Sequence, residues 1–225
     1  IKETKLDIIT DLHAYPYEIP HEINLIKNMV STSDFVVYNG DLLNSVVCPN
    51  NKKCNILNLV NDFVTQINKS YIFTLGNHDG EGEIRNEIIN VLYKNPLHIG
   101  VCNNRKKACK HPYMNIYTLD SNTYGCNNLK SYGCPYKEDV EWINKQLNIY
   151  NNNFQILFTH IPPPYVIGLK GVGINDEQPT CWVSKDKDLL PYKQPIYHIF
   201  GHDHNNLYIT EKFNNTTYIN ALKTG

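Results

Sequence analysis

A chain of 225 residues in which 21 Lys and Arg face 22 Asp and Glu carries a formal charge of −1 at neutral pH. That balance excludes a broad footprint on duplex nucleic acid, which needs a basic face to neutralise phosphates, and no apolar run reaches the roughly 18 residues of a membrane span. The length is enough for a sizeable core, and no low-complexity linker or internal repeat divides it, so residues 1–225 read as one domain.

In chain order, the strand-like run LDIIT ends in Asp11-Leu12-His13, and FVVYN ends in Gly40-Asp41. Ile56, Val60, Phe63, Val64 and Ile67 recur near helical period. YIFTL then ends in Gly76-Asn77-His78-Asp79, and Ile84, Ile88 and Leu92 repeat the helical spacing. The Cys-bounded stretch from Gly100 to Pro135 and just beyond carries Tyr113, Tyr117, Tyr124, Tyr132 and Tyr136. These rings read first as packing and second as a rim that could stack a base or an aryl group. Val140, Ile143 and Leu147 mark another helix, and FQILFT leads to His160. A long connection follows with Pro162, Pro163, Pro164 and Trp182, a length that points to a functional loop. IYHIF ends in Gly201-His202-Asp203-His204, and LYITEKF and TTYIN flank Asn214-Asn215 as a hairpin. The alternation up to Asn77 suggests βαβ units, and periodicity as a whole gives a mixed α/β fold.

Five strand-like runs therefore finish in carboxylate, amide or imidazole groups, as expected where strand ends and their loops build a site. Alone, D-x-H and Gly-Asp are mostly turn chemistry. GNHD is sharper, because turn geometry does not require its His, and GHDH sets two imidazoles two residues apart on one face of an extended segment. Asp11, His13, Asp41, Asn77, His160, His202 and His204 offer oxygen and nitrogen donors without a thiolate. That is more than one ion usually draws while keeping a position open for water, so two ions are the economical reading, with Asp41 able to bridge them.

In this order the residues resemble the calcineurin-like metallophosphoesterases, whose pattern reads D-x-H, G-D, G-N-H-[DE], a lone His and G-H-x-H. The match runs from Asp11 to His204. LFTHIPPPY, FGHDHNN and YTLDSNTYG are similar to the Dcr2-like, atypical branch related to purple acid phosphatases. The resemblance implies a four-layer α/β fold, two packed mixed β-sheets flanked by α-helices, with the active site at the strand C-terminal ends. Asn44 stands where purple acid phosphatases place an iron-binding Tyr, and His13 where they place Gly, so no tyrosinate colour band is expected. The metals are expected to be Mn, Zn or Fe, which an N/O donor set does not separate. The implied chemistry is hydrolysis of a small phosphate monoester by a metal-bridging hydroxide. Diester hydrolysis and a silent binding protein are the alternatives. His78 is the expected general acid, against a bland reading as a turn residue bonded to a carbonyl, and Asp79 is expected to orient that imidazole or a ligand.

Cys48 and Cys54, Cys102 and Cys109, and Cys126 and Cys134 each bound a short polar loop, which reads as three local disulfides with Cys181 left over. Asn68-Lys69-Ser70 and the overlapping triplets at Asn214 and Asn215 fit glycosylation acceptors. Together they favour the secretory route, with a secreted, lysosomal, vacuolar or cell-surface destination and a monomeric protein. A leader before Ile1 or an anchor after Gly225 is compatible with this reading. His21, His98, His111 and His198 fall outside the pattern and read as packing residues.

Overall fold

The structure, a computed structural model, describes residues 3–46, 55–122, 135–149, 154–162, 196–204, 210–213, 216–221 and 223–224. The first part alternates β1 (Leu6–Ile9), α1 (Ile19–Met29), β2 (Phe35–Asn39), α2 (Ile56–Ile67), β3 (Tyr71–Thr74) and α3 (Gly82–Lys94). Its three strands pair in parallel in the order β1-β2-β3, as the alternation predicts. Every residue of β2 is buried, because a parallel strand between covered faces meets no water on either side.

Helix α2 spans the predicted window. Its N-cap Asn55 accepts from the Asn58 amide at 3.1 Å, and the helix stops at Asn68 in the left-handed conformation. Sequence analysis assigned no element to α1. Its stripe of Ile19, Ile23 and Ile26 is buried, and Pro20 sits in the first turn, where a missing N–H sacrifices no helical bond.

The second part contains β4 (Val101–Cys102), β5 (Ala108–Lys110), β6 (Ile116–Leu119), α4 (Lys137–Ile149), β7 (Gln155–Phe158), β8 (Ile196–Phe200), β9 (Thr210–Phe213) and β10 (Thr216–Asn220). They form a seven-stranded mixed sheet in the order β4-β5-β6-β7-β8-β10-β9. The terminal β9–β10 pair is antiparallel, as the hairpin reading required. Tyr117 lies wholly inside the core of β6 and Tyr136 lies under the Arg105 guanidinium, 3.6 Å from the ring centre, so packing accounts for both. Tyr113 is exposed, while Tyr124 and Tyr132 lie outside the described residues.

Helices α1, α2 and α3 cover the outer face of the first sheet through Ile26, Val60, Phe63 and Leu92. Val140, Ile143 and Leu147 of α4 cover the second. Between the sheets lie Phe35, Val37 and Ile72 from one side and Ile116 and Phe158 from the other. Four layers result, matching the expected fold class. Burying each such side chain contributes about 1.5–3 kcal/mol.

The sheets are tied where their strands finish. The Thr224 amide donates to the Thr10 carbonyl at 2.9 Å, the Thr74 hydroxyl to the Leu119 carbonyl at 3.0 Å, and His160 Nδ1 to the Asn39 carbonyl at 3.0 Å. The carboxyl ends of β1, β2, β3, β7 and β8 thereby converge on one edge. Of the expected disulfides, Cys102–Cys109 joins facing residues of β4 and β5. The other two pairs and Cys181 lie outside the described residues.

Candidate metal centre

Each expected donor sits just past the end of a strand, on backbone bent to deliver it. Asp11, His13, Asp41 and His202 adopt φ of 54°, 52°, 52° and 71°, the left-handed region that side chains other than Gly enter at a cost. The glycine of Gly-Asp is required twice over. Gly40 has φ 91°, and a Cβ there would stand 2.5 Å from His160 Nδ1. A Cβ on Gly76 would overlap the Asp41 carboxylate, so the GNHD and GD loops touch only because that side chain is missing.

Three groups of donors form, each with its ligand atoms within 4.8 Å of one another: Asp11, His13 and His204; His13, Asp41 and His78; Asp41, His160 and His202. His204 Nε2 lies 3.0 Å from Asp11 Oδ1 and 3.1 Å from His13 Nε2. His160 Nε2 lies 3.1 Å from Asp41 Oδ2, and His13 Nε2 lies 3.5 Å from that same oxygen. Asp41 thus stands between two sets of imidazoles. Asn77 occupies the loop between Gly76 and His78 and lines the cleft beside the site. Six of the seven expected ligands are therefore gathered in these groups, and Asn77 lies in the adjoining loop.

Electrostatics ask for a cation here. Asp11 and Asp41 are both 1% exposed. Burial alone would raise the Asp11 pKa, but the His160 charge and hydrogen bonds from His13, Thr10 and the His202 amide hold it well below the carboxylate range. Asp41 is likewise lowered against its burial, by His160 and the His78 amide. Burial works against a charged His160, yet Asp41 and Asp11 raise it to about 9, so without another cation this ring supplies the positive charge itself. Burial and the His160 charge push His202 down to about 4, leaving it neutral and ready to donate a lone pair. His13 is raised by Asp11 and Asp41 in spite of burial.

The tautomers fit a metal. His160 Nδ1 donates to the Asn39 carbonyl at 3.0 Å, which turns Nε2 toward the carboxylates. Two imidazole nitrogens 3.1 Å apart beside one carboxylate, as in His13 and His204, are also what a shared cation would organise. The residues present fit metal ions.

His78 donates from Nδ1 to the Asn44 carbonyl at 2.9 Å, and its ring meets His13 edge-on at 4.8 Å. The carbonyl contact of the bland reading is therefore real. It also leaves Nε2 available at the edge of the centre. Asp79 lies beneath the site, 1% exposed. Its Oδ2 accepts from the Asp41 and Gly76 amides at 2.8 and 2.7 Å, and its Oδ1 from Leu43 at 2.9 Å. Burial and the Asp41 charge push its pKa up, while those amides and Arg85 pull it down. It orients ligand-bearing backbone.

Sequence reasoning missed Arg85 and Asp120. Arg85 is 2% exposed on α3, donates to the Gly76 and Leu75 carbonyls at 2.6 and 3.2 Å, and pairs with Asp120 at 2.6 Å. It braces the GNHD loop from inside. The only available signal was a cation next to an apolar helical stripe. Thr10 was missed as well; its hydroxyl donates to Asp11 Oδ2 at 2.7 Å.

Known proteins resemble this chain in sequence and in fold. A family described as calcineurin-like phosphoesterase matches residues 4–206. A protein of Arcobacter nitrofigilis named "Probable glycerophosphodiester phosphodiesterase GpdQ" is 26% identical over 198 residues, covering 86% of this chain and 64% of its own length. The chain thus spans less than two thirds of that relative. The crystal structure of phosphopantetheinyl hydrolase from Mycobacterium tuberculosis superposes with a TM-score of 0.55 at 12% identity, covering 98% of this chain and 90% of the other, a likeness of fold. With a family match that spans every gathered donor, the chain belongs to the calcineurin-like phosphoesterases.

Proposed function

We propose that this protein is a metal-dependent phosphoesterase that hydrolyses small phosphate monoesters at a centre of two ions, Mn, Zn or Fe. The observation that carries the reading is Asp41 standing between the Asp11, His13 and His204 group and the His160 and His202 group. Asp11, His13, Asp41 and His204 would hold one ion and Asp41, Asn77, His160 and His202 the other. When bound, such ions neutralise charge on phosphate oxygens and make water nucleophilic near neutral pH.

The remaining steps belong to the chain itself. Asp79 fixes the amides on either side of the cleft, so the donors are held in place before substrate arrives. His78, with Nδ1 committed to the Asn44 carbonyl, presents Nε2 to protonate the departing alkoxide. Retention of Asp41, Asn77 and both imidazoles of GHDH weighs against the silent binding protein. Diester hydrolysis is a second reading, favoured by the printed name of the Arcobacter relative. The Cys102–Cys109 disulfide and the exposed acceptor Asn68 support a secretory route, and the protein is proposed to be a monomer. Among the described residues no helix is long and apolar enough to cross a membrane.

The test is elemental mass spectrometry of the purified protein with hydrolysis of p-nitrophenyl phosphate and bis-p-nitrophenyl phosphate across acid to mildly basic pH. About two metal equivalents with turnover are expected, the monoester being the faster substrate. A faster diester would replace monoester by diester hydrolysis. Absence of turnover after reloading with Mn, Zn or Fe would overturn the enzyme.

A further inference from the structure

A second group of metal-type donors lies apart from the strand ends that build the phosphoesterase centre. His98, Cys102 and Cys109 bring one imidazole nitrogen and two sulfurs within 4.8 Å of one another. The two sulfurs belong to facing residues of β4 and β5 and are joined as a disulfide. His98 arrives from another direction, on a segment tied to β3 of the first sheet. There the Tyr71 amide donates to the Leu97 carbonyl and the Ile99 amide to the Tyr71 carbonyl, each at 2.9 Å.

The rings of Tyr71, Phe73 and Tyr93 pack against the imidazole, with centroids 5.6, 5.4 and 5.4 Å away. Such packing does not require a nitrogen aimed at a sulfur, yet His98 Nε2 lies 3.9 Å from Cys102 Sγ. A Cβ on Gly100 would stand 2.8 Å from that nitrogen, so the ring reaches the sulfur because residue 100 carries no side chain. Burial keeps the imidazole neutral, the form that gives a lone pair. Tetrahedral zinc, with bonds of about 2.3 Å to sulfur and about 2.05 Å to nitrogen, sets nitrogen and sulfur about 3.6 Å apart and two sulfurs about 3.8 Å apart. His98 and Cys102 already stand close to that spacing. Opening the disulfide and parting its sulfurs is the main movement left.

We infer that the reduced protein holds zinc between Cys102 Sγ, Cys109 Sγ and His98 Nε2. Cys102 is half-buried and Cys109 buried, so a reductant meets the Cys102 sulfur first. A dithiol gives the disulfide two electrons and two protons, becomes a disulfide itself and leaves two thiols; the cation then releases both thiol protons to water. Thiolates select zinc over harder cations, and water fills the fourth position. The disulfide joins β4 to β5 alone, whereas the chelate also ties that hairpin to the segment held by β3. In oxidising surroundings, such as the proposed secretory route, the disulfide stands instead. The site is independent of the phosphoesterase reading, whose donors include no sulfur.

The test is cobalt titration of the metal-free full chain under argon, before and after reduction with dithiothreitol and its removal. Thiolate-bound cobalt shows a near-ultraviolet charge-transfer band that the oxygen and nitrogen donors of the phosphoesterase centre do not give. The band should appear on reduction of the wild type and fall in Cys102→Ser. In His98→Gln the cobalt affinity should drop by more than the roughly 10–100-fold that loss of a partner outside the ligand set costs. Zinc should displace the cobalt and slow alkylation of Cys102 and Cys109 in the reduced wild type, read by mass spectrometry. No band after reduction, a band of equal strength in Cys102→Ser, or an unchanged affinity in His98→Gln would overturn the site. Should either variant fail to fold by circular dichroism, alkylation of the wild type decides: protection by zinc sustains the site, and unchanged rates sink it.

Discussion

At Arg85 a guanidinium inside the protein holds a loop in shape through three oxygen acceptors, two of them carbonyls on the strand-to-GNHD junction. Removing it strands the Asp120 carboxylate in a dry place. Arg85→Met should lower unfolding free energy by about 3–5 kcal/mol, and the paired change Arg85→Met with Asp120→Leu should recover much of it, since the pair is replaced by apolar volume. Urea unfolding of the three variants checks both. His78→Ala should leave metal content intact and slow hydrolysis by roughly 10²–10⁴-fold, most for esters of poor leaving groups. A loss equal on all esters, measured over a leaving-group series, would assign His78 another task. The donors were legible in the sequence because turn geometry does not require the imidazoles that follow these apolar strands, and five such strand ends recur along one chain. Arg85 was not, because a single charge beside Ile84 and Ile88 looks the same whether it points outward or inward.

Among elements, α2, α3 and α4 were legible from apolar period, and α1 was missed although Ile19, Ile23 and Ile26 keep the same spacing. Strands β4 and β5, two and three residues long, are below any periodic signal. What joins them is the Cys102–Cys109 link, whose short loop was visible in the sequence. Closing so short a loop restricts the unfolded chain modestly, so Cys102→Ser with Cys109→Ser should reduce stability by about 2–3 kcal/mol. Hydrogen exchange should then rise first in β4 and β5, at the end of the seven-stranded sheet. Strand order itself was beyond reach. Nothing in IYHIF or TTYIN announces that β8 pairs in parallel with β10, because order is decided by which faces the helices cover.

For the molecule as a whole, acid stability follows from two imidazoles outside the metal centre, the half-buried His98 and the buried His198. Burial pushes His98 down to about 4 and His198 down to about 3, the latter bonded to the Thr159 hydroxyl at 2.8 Å. In the unfolded chain both take up a proton below about 6.5, while the folded protein leaves them neutral. The unfolded state therefore binds more protons over this window, and stability falls as pH drops from about 6.5 to 4. Urea midpoints with a chelator present should trace that slope, and His198→Gln should flatten it.

The carboxylate that begins the site and the imidazoles that finish it are far apart in the chain: His204 Nε2 meets Asp11 Oδ1 across 193 positions and the His202 amide meets it across 191. During synthesis, Asp11, Asp41 and Asn77 leave the ribosome long before GHDH does. The nascent chain thus holds half a chelate for most of its elongation. Cation capture becomes a late event that reports completion of the fold, and any chain cut short before Gly201 would be left without its metal.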